Sequence, residues 1–176
     1  MKKIEPLERL EKGGYRRSVN DDMSGTITAE LKIIDGLKLI ASGGGRILNN
    51  QTHENRYASD SPLSGDKENH ISESFGRSTK LTANAMLTYD KTFAEKHTLG
   101  ALVGYSYEGE HWNDFGTTRV TENHKYDVMG GSINGTEQLP ISNYSGASDW
   151  SLYSGFARIN YNYDEKYLLE FNIRND

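Results

Sequence analysis

Six stretches of this sequence alternate apolar and polar residues at a period of two, and they come in three pairs. In the first pair Ile27, Ala29, Leu31 and Ile33 alternate with Thr26, Thr28, Glu30 and Lys32. After Asp35-Gly36 the series Leu37, Leu39, Ala41, Gly43 and Ile47 runs against Lys38, Ser42 and Arg46. In the second pair Thr79, Leu81, Ala83, Ala85, Leu87 and Tyr89 alternate with Lys80, Thr82, Asn84, Met86 and Thr88. Beyond a connection from Asp90 to Lys96, Leu99, Ala101, Val103, Tyr105 and Tyr107 alternate with Thr98, Gly100, Gly104, Ser106 and Glu108. The third pair sets Ala157, Ile159, Tyr161 and Tyr163 against Phe156, Arg158, Asn160 and Asn162, then Tyr167, Leu169, Phe171 and Ile173 against Leu168, Glu170, Asn172 and Arg174. Successive side chains of a strand point to opposite faces, so this pattern makes strands with one apolar and one mostly polar face. The polar connections inside each pair, Asp35-Gly36 and Asp164-Glu165-Lys166 among them, predict three hairpins. Gly43-Gly44-Gly45 falls inside a returning strand, where it marks a bend or a close approach of backbone.

Between the hairpins the pattern stops. Residues 49–74 and 111–149 are polar and unpatterned and predict two long loops, the second holding an Asn134-Gly135 turn. Residues 1–20 read as a connector, in which a weak helical hint at Ile4, Leu7 and Leu10 ends at Gly13-Gly14. Connections thus alternate short and long. Long structureless loops are uncommon inside a compact domain, whereas outer-membrane barrels keep short turns at one rim and long loops at the other. About ten residues of alternation per strand also suffice to cross a bilayer at a tilt. An apolar share of 35% and a mean hydropathy of -0.74 fit a chain that needs apolar residues on only one side of each strand.

The expected fold is therefore all-β: an antiparallel up-and-down meander of about six strands, part of a transmembrane β-barrel. Residues 1–20 would be the connector and residues 21–176 the partial barrel. Single-chain bacterial barrels start at about eight strands, so six imply a piece of a larger wall. Ile27, Leu31, Leu81, Leu87, Val103, Ile159, Leu169 and Phe171 would face lipid, and Glu30, Lys32, Lys80, Asn84, Arg158, Glu170 and Arg174 the lumen. Tyr89, Tyr105, Tyr107, Tyr161, Tyr163 and Tyr167 sit near the ends of the apolar series, where an aromatic girdle lies between hydrocarbon and water. The alternative is a secreted, soluble β-sandwich that binds carbohydrate and packs the same apolar faces sheet on sheet.

Composition narrows the function classes. A net charge of -5 with no basic stripe argues against a nucleic-acid partner. With no cysteine there is neither a disulfide framework nor a thiolate metal site. Met1-Lys2-Lys3 is followed by Glu5, Glu8, Arg9 and Glu11 rather than an apolar stretch, so no secretory signal is predicted, and no run approaches a membrane-spanning helix.

Three places resemble a known family, the SusC/RagA type of TonB-dependent outer-membrane transporter. Pro6-Leu7, Leu10-Glu11 and Gly13-Gly14-Tyr15 look like the entry to one of its mid-barrel strands. Ile33-Ile34-Asp35-Gly36-Leu37-Lys38-Leu39 and His97-Thr98-Leu99-Gly100-Ala101-Leu102-Val103-Gly104-Tyr105 are similar to its short-turn hairpins. The most specific stretch is Phe156 to Tyr163 with Lys166-Tyr167-Leu168-Leu169-Glu170 and Asn172-Ile173-Arg174. The resemblance implies active uptake of oligosaccharides or peptides, a SusD-like lipoprotein over the extracellular face, and energy from TonB. The family's signal peptide, plug domain and TonB-contacting segment have no counterpart in these 176 residues.

No catalytic constellation emerges, and neither enzyme activity nor a cofactor is expected. His53, His70, His97, His111 and His124 show no i, i+4 pair, and all but His97 fall in predicted loops. Glu108 and Glu110 share a strand face but read as a lumen face running into a solvated loop rather than a glycosidase pair. Asp60 to Glu68 does not match a calcium-loop spacing. The candidate cargo contacts are Trp112, Asn113, Asp114 and Phe115, where rings beside amide and carboxylate groups can stack on a sugar and bond its hydroxyls, together with Arg158. Trp112 equally suits an interface anchor or packing within its own loop.

Overall fold

The computed structural model describes residues 14–58, 68–121 and 141–176. They form β1 (Tyr15–Ile34), β2 (Leu37–Arg56), β3 (Asn69–Phe93), β4 (His97–Thr121), β5 (Ile141–Tyr163) and β6 (Tyr167–Asn175). Spatial order equals chain order, β1-β2-β3-β4-β5-β6, so the meander is an open antiparallel sheet. A sandwich would need two sheets; among the described residues all six strands lie in one, and the sandwich alternative falls.

Register follows from the turns. Tyr163 pairs with Tyr167, Ile159 with Phe171 and Ala157 with Ile173, while Asn160 pairs with Glu170 and Arg158 with Asn172. Odd-numbered residues therefore meet across the strands on one face and even-numbered ones on the other, and a slip of one residue would turn every apolar side chain over. In the tight turn after β1, Gly36 takes φ +83°, and a Cβ there would lie 2.6 Å from the carbonyl oxygen of Asp90. Only glycine meets both conditions. The other two turns use non-glycine residues at positive φ, Ala94 (47°) with Glu95 (62°) and Asp164 (52°) with Glu165 (55°). Each is closed by a backbone bond, Lys96 N–H to Phe93 C=O at 3.3 Å and Lys166 N–H to Tyr163 C=O at 3.0 Å. Two positive φ values inside such a bond match the primed turn that suits strand twist.

The first five strands run well past the expected ten residues: 20 in β1 and β2, 25 in β3 and β4, 23 in β5, against nine in β6. Strand thus replaces much of what was read as loop, Asn49–Arg56, Asn69–Ser74, His111–Thr121 and Ile141–Asp149, and Tyr15–Asn20 of the expected connector. His53, His70 and His111 are strand residues as well. Alternation disappears where both faces are polar, but the backbone ladder does not depend on apolar side chains. Cross-strand bonds replace them: Ser18 with Thr52 at 3.0 Å, Asn50 to Asn20 at 2.5 Å, Ser72 with Thr118 at 2.9 Å. Residues 1–13, 59–67 and 122–140, which include the helical hint, all of the Asp60–Glu68 stretch except Glu68, His124 and Asn134-Gly135, lie outside the described residues.

The chain groups into two compact units. One comprises Met23–Ile47, Ser78–His111 and Asp149–Asp176, the other Met1–Asp22, Leu48–Arg77 and Trp112–Ser148. The first contains the alternating segments, and its apolar face is uncovered, with Ile27 81% and Leu169 70% exposed. Gly44 sits in this unit where a Cβ would come within 2.9 Å of the Thr26 hydroxyl, 3.1 Å of that of Thr82 and 3.2 Å of the Gly25 carbonyl oxygen, so the approach at the triple glycine is made by two side chains as well as by backbone. In the second unit Ile71 is buried, the one large apolar side chain so placed among the described residues.

Candidate functional site

On the polar face of the first unit, charge and hydrogen bonding run across the strands. Lys38 pairs with Glu30 at 3.2 Å, and the Asn84 amide donates to the Ser42 hydroxyl at 3.3 Å. Lys80 on β3 pairs with Glu108 on β4. Glu110 accepts from the Ser78 hydroxyl at 2.6 Å and from the Trp150 indole N–H at 3.2 Å, which ties β3, β4 and β5 together through one carboxylate. The Lys80 ammonium also stands 5.8 Å from the centre of the Trp150 ring. Further along, Arg158 donates to Asn172 at 2.9 Å, and Asn172 to Glu170 at 2.5 Å. Ion pairs this exposed contribute about 0–1 kcal/mol each, so their effect is to fix side-chain positions more than to hold the sheet.

The opposite face of the same unit is apolar and ends in two sets of tyrosines. Tyr163 stacks on Tyr167 at 6.3 Å, and His97 lies 4.9 Å from Tyr163 and hydrogen-bonds the Tyr161 hydroxyl at 2.7 Å. The other set is Tyr105 and Tyr107 around Tyr153, at 6.4 and 5.0 Å. Tyr105 and Tyr107 are interior to β4 rather than near its end, because β4 continues to Thr121. Tyr89 packs beside the turn at Gly36. Ile27, Leu31, Leu81, Val103, Ile159, Leu169 and Phe171 are exposed on this face, and Leu87 is half-buried.

In the second unit the four aromatic and polar residues expected in one loop sit on β4 and alternate. Trp112 and Asp114 line one face, where they approach Gly146 of β5, and Asp114 also approaches Gly76 of β3. Phe115 lies on the other and meets Phe75 at 5.8 Å, and strand alternation puts Asn113 with it. Strand geometry therefore separates the set into two pairs. The Tyr144 ring covers Gly116, and an open cavity of about 360 Å³ is lined by Phe115, Gly116, Thr117, Asn143, Tyr144 and Ser145. Arg158 belongs to the first unit, on β5.

From sequence alone Trp150 and Tyr153 carry no assigned role, and His97 is only one of five scattered histidines and the start of a hairpin stretch. Tyr153 and His97 extend the odd-numbered series of β5 and β4 by a few positions, a signal that was available. The Ser78–Glu110–Trp150 link joins three strands and left none. Among the described residues no group of three metal-ligating side chains comes together.

A single sheet with one uncovered apolar face, one charged face and open edges is a wall segment of a barrel, and its fold is that of a TonB-dependent transporter barrel of the SusC/RagA type. The solved relatives carry the same architecture. The RagAB peptide importer in its closed-closed state superposes with a TM-score of 0.74 at 23% identity, over 92% of this chain and 18% of that one. The open-open state gives 0.75 at 24% over 91% and 18%. In sequence the chain is 30% identical over 89 residues to TonB-dependent receptor P39 of Formosa agariphila, a match that takes in 50% of this chain and 8% of that protein. No protein-family model matches. The chain thus spans a small part of the length of each of these relatives.

Proposed function

We propose that this chain forms part of the wall of an outer-membrane transporter that imports oligosaccharides or peptides, with its apolar face to lipid and its polar face to the lumen. One observation carries the reading: on the apolar face of the first unit, the two tyrosine sets bracket an uninterrupted apolar band. On β5, Gly155, Ala157 and Ile159 separate Tyr153 from Tyr161 and Tyr163; on β4, Leu99, Ala101 and Val103 separate His97 from Tyr105. From Tyr153 the strand covers roughly 26 Å to Tyr161 and roughly 33 Å to Tyr163, or about 20 to 25 Å of height at a tilt near 40°. That is the height of the lipid-facing band of a barrel, and tyrosine suits its borders because the ring is apolar and the tip polar. Ile159 and Phe171 then lie near mid-depth, and Leu169 closer to the Tyr167 border. Import, a SusD-like lipoprotein partner and drive by TonB extend the reading through the family resemblance. The peptide importers among the structural relatives keep peptide cargo in view beside oligosaccharide.

The test places charge on the two faces at one depth, in the full-length protein folded into lipid vesicles. Ile159→Arg should destabilise by about 2–4 kcal/mol, while Asn160→Arg, one residue on and facing the lumen, should cost under about 1 kcal/mol. Equal losses in denaturant titration would remove the assignment of faces.

A further inference from the structure

We infer that Trp150, held by Glu110, is a stacking platform for a sugar ring on the lumen face, and that it helps set the specificity of the transporter for saccharide cargo. The inference rests on the transporter reading and narrows its cargo. Trp150 is 43% exposed on the face that carries Ser78, Lys80, Glu108 and Glu110, with Leu152 and Phe156 further along β5. An indole left this exposed gains little from folding, yet this one is held through its N–H by a carboxylate that is itself held. Its N–H donates to one Glu110 oxygen at 3.2 Å, and the other oxygen is held by the Ser78 hydroxyl at 2.6 Å. Fixing a ring before a ligand arrives lowers the ordering cost of binding.

The surrounding groups favour hydroxyl-rich cargo over peptide. β3, β4 and β5 each have a neighbour on both sides, so their backbone N–H and C=O groups are engaged in the sheet, and an extended peptide cannot add to them as a strand. Recognition must come from side chains. Around the ring these are two carboxylates and an ammonium, Glu108, Glu110 and Lys80, the acceptors and donor that neighbouring sugar hydroxyls pair with. A cationic peptide side chain would instead compete with Lys80, which already pairs with Glu108 and stands 5.8 Å from the ring centre. A sugar can lay its C–H face on the exposed part of the indole and leave that pair in place.

The full-length transporter, purified in detergent, is applied to a glycan array and to a hexapeptide library, and the strongest ligand is titrated against variants. A neutral saccharide should be the strongest ligand. Trp150→Ala should weaken its binding by up to about tenfold, the upper end of an aromatic contact, and Trp150→Phe by no more than about threefold. Glu110→Gln should shift the Trp150 emission and weaken binding less than Trp150→Ala. The folded form on unheated gels should persist in all three, which separates a contact with cargo from support of the barrel. Preference for peptides, binding to no saccharide on the array, or unchanged affinity in Trp150→Ala each overturn the inference while leaving a membrane-inserted barrel standing. Failure of the wild-type protein to insert into vesicles would instead remove the transporter reading beneath it.

Discussion

At the scale of single residues the sheet is shaped by what its even-numbered face must accommodate. Gly44 is the sharpest case, since the Thr26 and Thr82 hydroxyls converge on the position its Cβ would take. Gly44→Val should destabilise the full-length protein by about 1–3 kcal/mol, the range for overpacking a closed site. Adding Thr26→Ala and Thr82→Ala should recover most of that loss in a denaturant titration; no recovery would mean that backbone, not the hydroxyls, sets the limit. Gly104 shows a related arrangement, with the Phe156 ring from β5 lying against it across the strand. A sequence records both residues as glycine inside an alternating segment. The partners that make them necessary come from other strands.

At the scale of elements the three hairpins differ in how their turns are made. Asp35-Gly36 is a favoured pair and adopts positive φ at glycine, whereas Ala94-Glu95 and Asp164-Glu165 hold four non-glycine residues in the left-handed region. That conformation costs an L-residue roughly 1–2 kcal/mol. The two strained turns also bond to each other, Asp164 N–H to Lys96 C=O at 2.8 Å. Replacing either pair by Asn-Gly keeps the turn, relieves the strain, and should stabilise by about 1 kcal/mol, read as a shift in the denaturant midpoint with unchanged slope. A fall in stability would show that Ala94 or Asp164 makes a contact worth more than the strain. The turns were legible as turns because they separate alternating runs. Their strain was not, because nothing in Ala-Glu or Asp-Glu asks for a positive φ.

At the scale of the molecule the uncovered apolar face dominates. Ile27, Leu31, Leu81, Val103, Ile159, Leu169 and Phe171 are all more than half exposed. A face of this extent is not stable against water and draws lipid, detergent or another copy. Expressed alone, the 176-residue chain should give no monomer in detergent-free buffer, by light scattering coupled to gel filtration, and should disperse when detergent is added. A soluble monomer with a cooperative melt would contradict the barrel-wall reading.

The sequence by itself determined the hairpins, the parity of each strand and the character of its two faces, because period-two alternation and short polar turns are local properties that survive translation into a ladder. It also pointed to the short-turn and long-connection rhythm of a barrel. Only the tertiary structure decided how far the strands run. Ser18, Asn20, Thr52, Ser72 and Thr118 carry no periodic signal, and they hold the ladder by bonding to partners that are 30 to 46 residues distant in sequence. The same cause divides the expected cargo residues of β4, since a loop would gather Trp112, Asn113, Asp114 and Phe115 and a strand alternates them. It also creates the platform at Trp150, where Ser78, Glu110 and the indole come from three strands and meet only when those strands are paired.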